Sequence, residues 1–91
     1  MRIIAKSSSH TTISLNEFFS SEPELFENLE LAESITRTLK SIMRHPQDVD
    51  AFASKIGSKY RLGFWYKHRI YYILFELGDD LILTDLNCIE S

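Results

Sequence analysis

Tyr60-Arg61-Leu62-Gly63-Phe64-Trp65-Tyr66, a short connection through Lys67 and His68, and then Arg69-Ile70-Tyr71-Tyr72-Ile73-Leu74-Phe75-Glu76-Leu77 is the stretch on which the fold turns. It is rich in aromatic and β-branched residues, the side chains that suit a pleated, half-buried surface. Gly78-Asp79-Asp80 follows as a turn sequence, and residues 81–89 return to the same composition. Residues 60–66, 69–77 and 81–89 therefore read as three consecutive antiparallel strands. They form a meander.

Upstream of the meander the period changes. Residues 2–6 read as a short first strand on the β-branched pair Ile3 and Ile4. Ser14-Leu15-Asn16-Glu17 has capping-box spacing, with Leu15, Phe18 and Phe19 following at helical intervals. Ser21-Glu22-Pro23-Glu24 repeats the signature, and Pro23 is tolerated where first-turn amides have no intrahelical partner. From there two adjacent apolar rows, Leu25, Leu29, Ala32, Leu39, Met43 and Leu31, Ile35, Leu39, Ile42, predict one long helix. It should stop near His45, because the residue before Pro46 is pushed out of the helical region. Val49, Phe52, Ala53 and Ile56 support one or two further turns, with Gly57 as a left-handed cap. A strand, two or three helices and a three-stranded antiparallel meander make an α+β class protein, with the helices on one face of the sheet.

Length and composition set the outer limits. The chain has 91 residues, 44% apolar and 25% charged, with a formal net charge of −3. Domains usually run to roughly 100–150 residues, so a single domain spanning residues 1–91 is expected. The lone Cys88 excludes an internal disulfide, and no thiolate zinc site can be assembled. His10 and His45 have no ligand set around them, so neither a metal nor a cofactor is expected. The N-terminal stretch lacks the apolar core of a signal peptide, and the longest apolar run, residues 70–75, is far short of the ~20 that a membrane helix needs. A cytoplasmic protein without a membrane partner is the expectation.

Charge is segregated along the chain. Six glutamates lie between Glu17 and Glu33, whereas residues 59–72 hold Lys59, Arg61, Lys67 and Arg69 and no acid. Screening over about 8 Å makes surface potential a local matter. An anionic partner should therefore meet residues 59–72.

Lys55-Ile56-Gly57-Ser58-Lys59-Tyr60-Arg61-Leu62, then His68-Arg69-Ile70-Tyr71-Tyr72-Ile73, then Asp79-Asp80-Leu81-Ile82-Leu83 resembles the C-terminal signature of the RelE/ParE superfamily of bacterial toxins. The resemblance covers about residues 55–89. It implies one of two activities: ribosome-dependent endonuclease cleavage of messenger RNA, or inhibition of DNA gyrase without a nuclease site. It also implies a cognate antitoxin as partner, with the ribosome and messenger, or gyrase, as target. Position by position, Arg61 matches the basic residue of the first meander strand and Arg69 the characteristic Arg of the next. The nuclease branch usually carries an Arg, His or Tyr after the final strand, whereas this sequence reads Asn87-Cys88-Ile89-Glu90-Ser91 there. Efficient RNA cleavage is not expected from such an incomplete site.

The candidate catalytic residues are therefore Arg61, Arg69 and His68. The candidate RNA- or phosphate-binding residues are Lys59, Lys67, Tyr60 and Tyr66. Arg69 either clamps a phosphate through its bidentate fork or pairs with a glutamate of the acidic helix. His68 is the general acid/base by chemistry, though it sits at the turn. Tyr60, Phe64, Trp65, Tyr66, Tyr71 and Tyr72 offer a stacking platform, of which alternation sends half to the core. The leading expectation is a small RelE/ParE-like toxin or toxin-derived protein acting on translation or gyrase by binding. The alternative is a non-enzymatic interaction module, such as a phage- or plasmid-encoded modulator that holds a host protein through its acidic helix.

Overall fold

The computed structural model describes residues 1–90. Its strands are β1 (Ile3–Lys6), β2 (Thr12–Ile13), β3 (Ser54–Ile56), β4 (Lys59–Tyr66), β5 (Arg69–Leu77) and β6 (Leu81–Glu90). Its helices are α1 (Leu15–Phe19), α2 (Pro23–Glu27) and α3 (Leu29–Arg44), followed by a 3-10 segment at Pro46–Ala51. One six-stranded sheet in the order β2-β1-β6-β5-β4-β3 carries the helices on one face. β1 runs parallel to β6 and every other pair is antiparallel. The α+β class and the C-terminal meander are as expected.

The long helix expected after Pro23 is two helices. Asn28 takes an extended backbone (φ −106°, ψ 94°), ending α2 and capping α3 with its side-chain oxygen on the Leu31 amide. Asn competes well for such caps because its short side chain satisfies an orphan amide. The break rotates the apolar rows: Leu29 is left exposed, while Ile35, Leu39 and Ile42 of α3 are buried against the sheet. A second correction concerns residues 49–56. Helical turns stop at Ala51, and Ser54–Ile56 add a strand to the sheet edge instead. Gly57 does adopt a positive φ of 61°, but in the hairpin between β3 and β4 rather than as a helix cap. The two-residue β2 was not anticipated either.

The core is a layer between the helices and the inner face of the sheet. Ala5 of β1, Leu62 of β4, Tyr71, Ile73 and Phe75 of β5, and Leu81 and Leu83 of β6 meet Phe18, Phe19, Leu25, Ile35, Leu39 and Ile42. Strict alternation would spoil this in β6, since Leu81 and Leu83 are odd-numbered and the inward Leu86 and Cys88 are even. A bulge restores it. The pairing runs Phe75 with Leu83 and then Leu74 with Asp85, so Thr84 is the extra residue. Bulges of this kind insert one residue and re-phase the strand beyond it. The Thr84 hydroxyl sits 3.3 Å from the Leu74 carbonyl and 2.8 Å from Asp85 Oδ2.

Deleting Thr84 would therefore make the ladder regular and turn one half of β6 inside out, because a one-residue slip sends each side chain to the other face. The deletion variant is expected to lose its cooperative urea transition, monitored by circular dichroism. Thr84→Ser, which keeps both the residue count and the hydroxyl, should unfold within about 1 kcal/mol of the native chain.

Candidate functional site

The register between β4 and β5 determines which charged and aromatic side chains meet. Tyr66 pairs with Arg69 across the two-residue turn Lys67-His68, and the ladder continues Phe64 with Tyr71, Leu62 with Ile73 and Tyr60 with Phe75. These pairs share the helix-covered face. Arg61 pairs with Leu74, Gly63 with Tyr72 and Trp65 with Ile70, and they share the open face.

Arg61 and Arg69 consequently lie on opposite faces of the sheet. They are also five residues apart along the ladder, roughly 17 Å at ~3.3 Å per residue. The nominated pair does not converge on one phosphate. Arg69 is drawn to the helical side, where its Nη1 lies 3.5 Å from Glu24 Oε1. The ion pair with a glutamate, one of the two roles considered for Arg69, is present.

Glu24 lies among polar groups on the helical side. The Tyr71 hydroxyl donates to Glu24 Oε2 at 3.2 Å, and Asn28 Nδ2 donates to the Tyr66 hydroxyl at 2.8 Å. Tyr71 is fully buried. Burial pushes its phenol up to about 12 from an ordinary 10.0; the Arg69 hydrogen bond opposes this, while the Glu24 hydrogen bond and the charges of Cys88 and Glu24 add to it. Tyr60 is half-buried on the same face and stacks on Phe75 with centroids 5.6 Å apart. Tyr60 and Tyr66 are thus packing residues on the helical side, not an exposed stacking platform.

The remaining nominated residues divide between the turn and the open face. Lys67 takes a positive φ of 56° in the hairpin and places its ammonium 5.3 Å from the Tyr66 ring centroid. His68 is exposed beside it. Lys59 is on the open face but is tied to the bulge, 3.1 Å from the Thr84 hydroxyl and 3.4 Å from Asp85 Oδ2.

Arg61 is an exposed cation of the open face. Its guanidinium carbon lies 4.7 Å from the centroid of the Tyr72 ring, within cation–π range. That ring covers Gly63, where an added methyl group would come within 3.0 Å of a ring carbon. Gly63 is small because Tyr72 occupies the space above it. One row further, Trp65, Ile70 and Ile89 stand directly opposite one another across three strands. Trp65 is 65% exposed and Ile89 52%. Exposed apolar rows of this sort mark interaction surfaces. Trp65 and Tyr72 were present in the aromatic platform read from the sequence, but not singled out. The hairpin register is the signal that selects them.

The open face presents one stacked guanidinium, an apolar row and a neutralised Lys59–Asp85 pair. No group of His, Cys, Asp and Glu capable of holding a metal occurs among the described residues.

The Glu24 cluster yields a pH prediction. A phenol whose folded pKa exceeds its unfolded value contributes stability that is intact below pH 10 and is lost as pH climbs toward 12. The loss is on the order of 3 kcal/mol for a buried group shifted this far. Alkaline denaturation followed by tyrosinate absorbance should show one tyrosine ionising only with unfolding, and Tyr71→Phe should move the alkaline midpoint upward. Arg69→Gln removes the ion pair with Glu24 together with the hydrogen bond to buried Tyr71, and should cost more than the roughly 1 kcal/mol of a part-exposed pair alone in a urea melt. No family model, curated protein or solved structure matches this chain.

Proposed function

We propose that the chain is a non-enzymatic binding protein of RelE/ParE-like layout that modulates a host protein through the open face of its sheet. The observation that carries this reading is the placement of Arg61 and Arg69 on opposite faces, with Arg69 engaged by Glu24. Cleavage of an RNA backbone needs a cation on the phosphate and groups that move protons at the same point. Here the second guanidinium is on the far side of the sheet. Nucleic-acid binding needs several available cations on one surface, and on this face Lys59 is already matched by Asp85. The Trp65, Ile70, Ile89 row favours a protein surface as the target, because aromatic and apolar side chains flanked by Arg dominate the energetics of such contacts.

The layout supports the toxin-like part of the reading. The element order, a strand, then helices, then a C-terminal meander, is what supports it. An antitoxin or other regulator is the corresponding partner.

Induced expression in bacteria tests the proposal. Wild type should slow growth with full-length messenger intact by primer extension. Trp65→Ala or Arg61→Ala should relieve the arrest by at least about tenfold in plating efficiency, the scale set by truncating a side chain that dominates an interface. Arg69→Ala should still arrest growth wherever it folds. In-frame messenger cleavage by purified protein on ribosomes would overturn the reading.

A further inference from the structure

The open face ends in an incomplete sheet edge beside Arg61. Tyr66 and Arg69 close a two-residue hairpin, which makes them a hydrogen-bonded pair. Alternation along an antiparallel ladder then sends the amides and carbonyls of Phe64 and Leu62 toward β5, and those of Arg61, Gly63 and Trp65 the other way. Arg61 finds Ser54 of β3 there. Beyond Ser54 the neighbouring chain leaves the sheet, because Pro46–Ala51 has wound into the 3-10 segment. Among the described residues, nothing pairs with the outward backbone groups of Gly63 and Trp65. An unpaired strand edge is a template for another strand, and folded proteins ordinarily cover or blunt it.

Three features surround this edge. A cavity of about 350 Å³ runs along it, between Phe52, Ala53 and Ser54 on one side and Arg61, Gly63 and Tyr72 on the other. The Tyr72 ring lies over Gly63, so the side chain of a residue paired opposite Gly63 on an added strand would lie alongside that ring. The Arg61 guanidinium, held on that ring, has no carboxylate partner among the described residues; Asp50 lines the same cavity without reaching ion-pair distance. A planar guanidinium fixed on an aromatic ring is suited to a carboxylate.

We infer that the edge of β4 at Gly63 and Trp65 takes an extended segment of another protein as an added strand in line with β3, with an Asp or Glu of that segment opposite Gly63 to meet Arg61. The inference rests on the binding reading above and names the chemistry of the partner. Backbone hydrogen bonds supply affinity in strand addition, and pockets for alternate side chains supply selectivity. Trp65 flanks the strand with apolar surface, and Arg61 sets the charge preference.

Selection of short random peptides displayed on phage against the full chain, followed by synthesis of the enriched sequences, provides the test. The expected sequences contain an acidic residue at one fixed position. Binding should slow hydrogen exchange at the Gly63 and Trp65 amides, resolved by backbone NMR. N-methylation of the peptide at residues facing the edge should abolish binding. Arg61→Ala should weaken the acidic peptide about tenfold and leave its Asn or Gln analogue unchanged, in keeping with loss of a charge-assisted hydrogen bond. Failure to enrich any peptide, or enrichment of peptides indifferent to Arg61 that leave both amides unprotected, overturns strand addition. If no peptide pairs with the edge while Trp65→Ala still relieves growth arrest, strand addition falls and the binding reading stands. If Trp65→Ala and Arg61→Ala both arrest growth like wild type, the binding reading itself falls.

Discussion

Two residues, Lys67 and His68, join β4 to β5, and so short a connection leaves a single register between the strands. Residue numbers across the hairpin then pair odd with even. Every odd residue of β4 shares a face with an even residue of β5, and Arg61 is parted from Arg69 as a matter of arithmetic. The same parity brings Arg61 diagonally onto Tyr72 and lines up Trp65 with Ile70. Lys67 meets this constraint with a positive φ, a conformation that costs a side-chain-bearing residue about 1 kcal/mol or more. The equivalent position in the neighbouring hairpin is Gly57, which adopts it freely.

Much of the fold was legible because its signals are local. The aromatic and β-branched runs mark three strands, the Ser14 capping box starts α1 with its hydroxyl on the Glu17 amide, and Pro46 ends α3. What escaped was decided by competition between local and distant contacts. Asn28 interrupts an unbroken helical pattern because its side chain serves both the α3 cap and the Tyr66 hydroxyl, a partner 38 residues away. Residues 54–56 carry helical spacing, yet the free edge of β4 recruits them as a strand.

The site was legible only in part, for a related reason. Residue types pointed to Arg61, Arg69, His68, Lys59, Lys67, Tyr60 and Tyr66 as a group, but faces decide chemistry, and faces depend on register. Of the seven, Arg61 and Lys59 share the open face, Lys67 and His68 occupy the turn, and Arg69, Tyr60 and Tyr66 lie under the helices. Glu24 was foreseeable only as one acid among six. Its contact with both Arg69 and Tyr71 is a tertiary fact.

The parallel pairing of β1 with β6 sets an order on the molecule's assembly. Ile3, Ile4 and Ala5 align with Leu81, Ile82 and Leu83, and the Arg2 amide binds Asp80 across 78 residues of sequence. During vectorial synthesis β1 can pair only with the two-residue β2 until β6 has been made, whereas β4, β5 and β6 can zip together from their own short turns. Closing so long a loop is slow compared with forming adjacent hairpins. The nascent chain must therefore carry the other edge of β1 open until β6 is made, dependent on the speed of elongation and on whatever shields the apolar pair Ile3 and Ile4 in the meantime.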